Sequence, residues 1–291
     1  MSCNAAAFSK AFMKQAKGAT LTRARAATTW KSLEAFAKAR RMILDPANMT
    51  TKQLLRYVEY RQEQGISARS IQNEVSHIRR ALRGAGRDLG DLKDKANNWS
   101  SHRLRVPEGS RIGGKPPADQ TALDRVERPD LKAVFTLQVA LGLRVREAVQ
   151  SGPSLRQWAV ELRQCIERGS GAFLPIREGT KGGRPRSVWV PPERLEEVQQ
   201  AVELASRQVG ADGNLVQAAS LMAAVRACER ASQAAGFETH GLRRGWAVTQ
   251  YHHYVAHGND EKAALRLLSG DLGHGDGRGR WCFNNYLRGA L

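Results

Sequence analysis

The chain is 291 residues long and 41% hydrophobic, enough apolar material for two folded domains and too much for one small core. Its formal net charge of +18 and pI near 10.4 point to a polyanionic partner, nucleic acid first, against the plainer reading of a merely basic surface. No apolar run approaches the ~20 residues of a membrane span, and the four cysteines (Cys3, Cys165, Cys228, Cys282) show no CxxC spacing, so neither a disulfide frame nor a zinc site is expected.

The stretch from Met1 to Lys17 lacks the apolar centre and small-residue cleavage site of a secretory signal, and with reduced thiols this predicts a cytoplasmic protein. Residues 1–118 hold 23 lysines and arginines against 9 acidic residues, +14 of the total, so the first third reads as a module that grips a charged backbone. A helix is expected over 20–44, where Trp30, Leu33, Phe36 and Ile43 recur at roughly helical spacing, with Pro46 ending it. Thr50 or Thr51 can cap a second helix, through about Glu63, that Gly65 stops. Ser67 can cap a third, on which Ile71, Val75, Ile78 and Leu82 form an apolar stripe while Arg69, Arg79, Arg80 and Arg83 take other faces. Any one of these arginines fits a solvated surface; as a group they favour phosphate or groove contact.

From 99 to 120 Ser, Gly and Pro accumulate, and a basic linker carrying Arg111 and Lys115 is expected between domains 1–98 and 121–291. It can lie along phosphates or serve as a plain tether. Residues 128–150 read as helix broken at Gly142, which puts Arg144 at the start of the next helix with Glu147 one turn on; alone this is a simple Arg–Glu pair. Two short strands, Ala172–Ile176 and Ser187–Val190, flank a Gly-rich turn bearing Lys181, Arg184 and Arg186, a hairpin with a basic tip that can reach nucleic acid or simply face solvent. Helices are expected over about Pro192–Val209 and Leu215–Ala235. Thr239 can cap another that holds His240 and Arg243 on one face. His253 and His257 have metal-binding spacing, but no acidic partner or open site is evident, so no metal is expected. A helix over Asp260–Ser269 leads to Asp271-Leu272-Gly273-His274, and Trp281–Leu287 forms a last short helix with Tyr286.

Five features thus follow one another over about 145 residues: Gly142-Leu143-Arg144-Val145-Arg146-Glu147, Thr180-Lys181-Gly182-Gly183, His240-Gly241-Leu242-Arg243, Leu272-Gly273-His274 and the lone Tyr286. In type and order they resemble the first-arginine motif, hairpin lysine, His-x-x-Arg motif, Leu-Gly-His motif and nucleophile of the tyrosine recombinase (phage-type integrase) family. The first third is similar, in pattern and position, to that family's helical core-binding domain. The resemblance implies a mainly α fold with a small β-sheet, a helical core-binding domain followed by an α+β catalytic domain. Two departures stand out. Tyr286 stands twelve positions after His274, more than is usual in the family, and five residues follow Tyr286, which leaves tail exchange between protomers open.

The implied function is a site-specific DNA recombinase or integrase of bacterial or phage origin, carried by a mobile element. Tyr286 attacks a phosphodiester to give a 3′-phosphotyrosyl bond and a free 5′-hydroxyl. Arg144 and Arg243 hold the non-bridging oxygens. His240 and His274 donate hydrogen bonds, His240 helping to take the phenol proton. Lys181 protonates the leaving oxygen and Glu147 braces the site. A phenol with its ordinary pKa near ~10 needs such a cationic surround. No cofactor, metal or ATP is required. The implied partners are double-stranded DNA and three further protomers, a tetramer on paired sites formed from a protein that is a monomer when free, with accessory DNA-bending or directionality proteins able to join. Three other readings compete: a type IB topoisomerase-like relaxase, a catalytically idle DNA-binding relative, and a basic helical transcription regulator.

Overall fold

The computed structural model describes residues 3–15, 20–87, 120–275 and 277–290. The chain divides into two compact units, Met1–Glu108 and Gly109–Leu291. The linker expected over 99–120, with Arg111 and Lys115, lies outside the described residues except for Gln120.

Unit one contains α1 (Ala5–Gln15), α2 (Thr20–Ala39), α3 (Thr51–Glu63) and α4 (Ala68–Gly84). Thr50 caps α3 through a capping box with Gln53, and Ser67 caps α4 by accepting from the Ser70 amide. The α4 stripe is buried as expected, with Ile71 and Ile78 at 0% exposure, against Phe8 and Phe12 of α1 and Leu33 and Phe36 of α2. Two details differ from expectation. The helix α1 has no counterpart in the sequence reading. And α2 stops at Ala39: Arg41 has φ 49°, and Leu44 rather than Ile43 enters the core, held by a bridge to Cys3. Ile43 is therefore exposed. A half-buried ion pair, Arg61–Glu74 at 2.8 Å, is reinforced by Tyr57 donating to the same carboxylate at 2.8 Å.

Unit two starts with a 3-10 turn, Gln120–Arg125, then α5 (Pro129–Leu141), α6 (Val145–Val149) and α7 (Gly152–Arg168). The hairpin is β1 (Ala172–Ile176) and β2 (Arg186–Val190), antiparallel, with Ile176 opposite Arg186. After a 3-10 turn, Pro192–Arg194, come α8 (Leu195–Ser206), α9 (Leu221–Ala234), α10 (Thr239–Ala256), α11 (Glu261–Asp271) and α12 (Gly279–Cys282), then a π-helical turn, Phe283–Leu287. Among the described residues the fold is mainly helical with one two-stranded sheet, as the sequence implies. The sequence reading passed over α7, although Leu155, Trp158, Leu162 and Cys165 bury one face of it. Helix α9 begins six residues later than expected, where Ser220 accepts from the Ala223 amide. The α10 cap is Glu238 rather than Thr239. Around a core that includes Phe135, Leu141, Trp158, Val188 and Leu242, α5 and α10 pack directly and carry the polar cluster described next.

Among the described residues no helix is long and apolar enough to cross a membrane.

Candidate active site

The site is built on three chain reversals around a set of arginines that share one buried carboxylate. The first is the α5–α6 break. Gly142 has φ 59°, which closes α5, and a Cβ there would sit 2.3 Å from the Trp246 ring, so only glycine lets α10 approach. Arg144 follows as the N-cap of α6, its amide donating to Glu147 Oε2 at 2.8 Å and its guanidinium to Oε1 at 2.6 Å. Glu147 is fully buried. It also pairs with Arg186 at 2.8 Å and Arg243 at 3.8 Å. Burial alone would raise its pKa, but attraction to Arg186, with Arg243 and Arg144 behind it, holds it down at about 2.

Arg186 corrects the sequence reading. It is not on the hairpin tip and does not face solvent. It is the first residue of β2, inward with Val188 and Val190 and 8% exposed. Its guanidinium donates to the Asp271 carbonyl as well as to Glu147, so it ties the hairpin to the α6 start and to the turn after α11. A buried, carboxylate-paired arginine has no fork left for a DNA groove. The remaining tip residues Lys181 and Arg184 are exposed, and the positive charge of Lys181 is felt at His274.

The second reversal is Leu272–Gly273–His274. Gly273 has φ 67°, and a Cβ there would lie 2.6 Å from Arg186 Cδ. The preceding Asp271 anchors the turn. Its carboxylate accepts from Tyr254 at 2.5 Å, Gln250 at 3.3 Å and the Trp189 amide at 3.1 Å. Burial raises this carboxyl to about 6. Sequence reasoning gave neither Asp271 nor Tyr254 a part in the site.

The third is the end of the chain. After Gly275, the turn of α12 buries Cys282, and the π-helical turn swings Tyr286 inward to 3% exposure. A π turn inside helical structure is a local insertion that re-aims a side chain. Tyr286 Oη lies 3.4 Å from Arg243 Nε and 3.3 Å from His274 Nε2. His240 packs against the phenol ring with centroids 5.5 Å apart, and Trp281 stacks on His274 at 4.4 Å. Arg243, 1% exposed, donates to the Gly142 carbonyl and to the Leu272 carbonyl at 2.7 Å. Burial lowers its pKa to about 10, so it remains charged at neutral pH.

Arg144, Glu147, His240, Arg243, His274 and Tyr286 are thus brought together in one chain, with Lys181 exposed on the hairpin tip and its charge acting on His274. Three guanidiniums share one carboxylate, a formal excess of two positive charges, and Arg144 keeps a quarter of its side chain open to solvent. Such a cluster attracts an anion at its open face. In unit one, Arg69 and Arg83 are exposed, Arg79 is half-buried, and Arg80 lies over the Phe12 ring at 5.6 Å.

A family model described as Integrase matches residues 88–249, more than half of the chain, and one described as Phage integrase, N-terminal, matches residues 7–89. The chain belongs to the phage integrase, or tyrosine recombinase, family. Family membership implies a site-specific recombinase that binds DNA, with an N-terminal SAM-like domain ahead of the integrase domain. No individual curated protein matches the chain. The integrase match includes Arg144, Lys181, His240 and Arg243 and ends before His274 and Tyr286, so the last two are integrase-like by sequence order and by the contacts given above.

Two expected results follow from the site's charges. Glu147→Gln leaves two fully buried guanidiniums without a counter-charge, which costs about 3–5 kcal/mol when a buried pair is broken. In a unit of this size that lowers the Tm by roughly 10 °C; a melt within a degree or two of wild type would contradict the central place given to Glu147. The second concerns pH. Burial, then the charges of Arg243 and Arg144, hold His274 at about 3. Burial and then Arg243, Arg244 and Arg144 hold His240, whose ring water still reaches, at about 4. The unfolded chain takes up these protons from 6.5 downward, so each histidine drains stability from the fold between 6.5 and its own lowered value. Asp271 acts the other way between about 6 and 3.8, because the folded form binds its proton first. His274→Asn should therefore lose less unfolding free energy than wild type on going from pH 7 to pH 4.5 in denaturant titrations. An equal loss in both proteins would contradict the assignment.

Proposed function

We propose that this recombinase cuts and rejoins DNA strands through a covalent 3′-phosphotyrosyl bond to Tyr286, without ATP. The observation that carries the reading is the phenol oxygen held between Arg243 and His274, beside an arginine cluster with excess positive charge. A phosphodiester placed there gives its non-bridging oxygens to Arg144 and Arg243, which stabilise the charge that builds up in the trigonal-bipyramidal transition state. Tyr286 Oη bonds to phosphorus as the bond to the 5′-oxygen breaks.

The phenol proton passes to a neutral imidazole. His274 is the nearer acceptor, while His240 contacts the ring, which moves the base role assigned to His240 in the sequence reading to His274. Lys181, an exposed ammonium, supplies a proton to the 5′-oxygen. The phosphotyrosyl bond conserves the energy of the broken ester, so attack by another strand's 5′-hydroxyl reverses the step and frees the phenol.

Arg69, Arg79, Arg80, Arg83 and Arg184 contribute phosphate contacts, and four protomers assemble on paired sites. Supporting the recombinase over the topoisomerase-like reading is the match of residues 7–89 to the phage integrase N-terminal domain. The idle-relative reading fits poorly with a phenol already at the arginines. The test is a plasmid assay on DNA recovered with the protein. Recombinant products that depend on paired sites support the proposal. Supercoil relaxation without site dependence supports the relaxase reading instead.

A further inference from the structure

His253 and His257 stand one turn apart at the end of α10, ten residues or more beyond Arg243. At a helical rise of about 1.5 Å per residue they lie roughly 15 Å or more from the phosphate site and play no part in it. No acidic partner is evident for them from the sequence alone, but the fold supplies one. The 3-10 turn after β2 carries Glu193 to them from sixty residues away, with Oε1 2.7 Å from His253 Nδ1. The two imidazole rings pack with centroids 4.0 Å apart. His257 Nδ1 lies 2.8 Å from the His253 carbonyl, so it is the protonated nitrogen and Nε2 carries the free lone pair. One ligand atom from each of the three residues falls within 4.8 Å of the others. Glu193 and His257 are exposed and His253 is half-buried, so an ion can enter from solvent.

We propose that Glu193, His253 and His257 form a binding site for a divalent transition ion of the zinc class, which clamps the end of α10 to the turn after β2. Two imidazole nitrogens and one carboxylate oxygen are a donor set that such borderline ions favour. Ligand bonds of about 2.0–2.2 Å place tetrahedral donors roughly 3.3 Å apart, a spacing that side-chain rotation reaches from the present arrangement. The hydrogen bond from His257 to the His253 carbonyl fixes the ligating tautomer, as backbone carbonyls commonly do for metal-bound histidines. The carbonyl end of the 18-residue α10 adds partial negative charge beside the ion. With three protein ligands, a remaining position is left for water. The ion would steady the helix segment whose Gln250 and Tyr254 hold the Asp271 carboxylate. This inference does not depend on the strand-transfer reading.

The test uses the full chain stripped with EDTA. Zn²⁺ titrated calorimetrically should bind one equivalent, Co²⁺ should give an absorption spectrum without a thiolate charge-transfer band, and excess Zn²⁺ should raise the Tm by several degrees, about what saturation at 100 times Kd supplies. Glu193→Gln and His257→Gln, both at exposed positions, should abolish these effects and keep the metal-free Tm. His252→Gln should leave them intact. Absence of saturable binding, binding unchanged in Glu193→Gln and His257→Gln, or a thiolate band placing the ion on cysteine would each overturn the proposal.

Discussion

Tyr286→Phe should abolish covalent capture of a nicked suicide substrate and leave the folded protein nearly unchanged. The two halves of this expectation have separate physical grounds. The phenylalanine keeps the ring and so keeps the packing on His240 and Trp281 and beneath the Arg243 guanidinium, whose Cζ is 5.8 Å from the ring centroid. The hydroxyl itself makes only long contacts, 3.3 and 3.4 Å, and its loss costs on the order of 1 kcal/mol. DNA affinity should stay within a few-fold, because phosphate binding rests on the arginines. Adduct formation, however, has no oxygen left to form the ester, and no residual rate is expected. Denaturing gel analysis after substrate trapping reads this directly. Adduct at the wild-type rate would remove Tyr286 from the mechanism.

Arg243 gives the second large effect. Removal of one preorganised donor from a developing oxyanion costs about 10²–10³ in rate, and Arg243 adds its full positive charge to the N–H it offers beyond those held by the Gly142 and Leu272 carbonyls. Arg243→Ala should lower single-turnover cleavage by roughly 10⁴ or more. It also strips the Gly142 and Leu272 carbonyls of their donor, so part of the loss will be structural. Arg243→Lys separates the two effects. It keeps the charge beside Glu147 and loses the planar fork, so it should melt closer to wild type and still cleave at least about a hundredfold more slowly. Losses of DNA binding equal to the losses of cleavage in both variants would make Arg243 a binding residue and not a stabiliser of the transition state.

What was legible in the sequence was local. The Thr50 and Ser67 caps, the Ile71–Leu82 stripe and the Gly142 break each depend on residues within one or two turns of each other, and each stands in the structure where periodicity and capping place it. The five motifs also marked their own neighbourhoods. What failed was pairing at a distance. Arg186 beside a Gly-rich turn reads as a surface cation. Only strand parity with Val188 and Val190 shows that it points inward, and only the fold shows that Glu147, 39 residues earlier, receives it. The same holds for Leu44, drawn inward by the chain start at Cys3, and for Glu193 with His253. Helix α7 is a different failure. Its apolar positions were visible, but its many charged and polar residues hid a one-sided stripe.

The long spacing before Tyr286 has a similar answer. Part of the stretch forms α12, and the π turn after it aims the phenol at Arg243 within the same chain. This geometry requires no exchanged tail to bring Tyr286 to the arginines.

The most direct measurement is the identity of the DNA-linked amino acid. Protein trapped on a suicide substrate, digested with protease and nuclease and sequenced by mass spectrometry, should yield a peptide with a 3′-phosphonucleotide on Tyr286. A link to Tyr251, Tyr254 or a serine, or a link through a 5′-phosphate, would contradict the account.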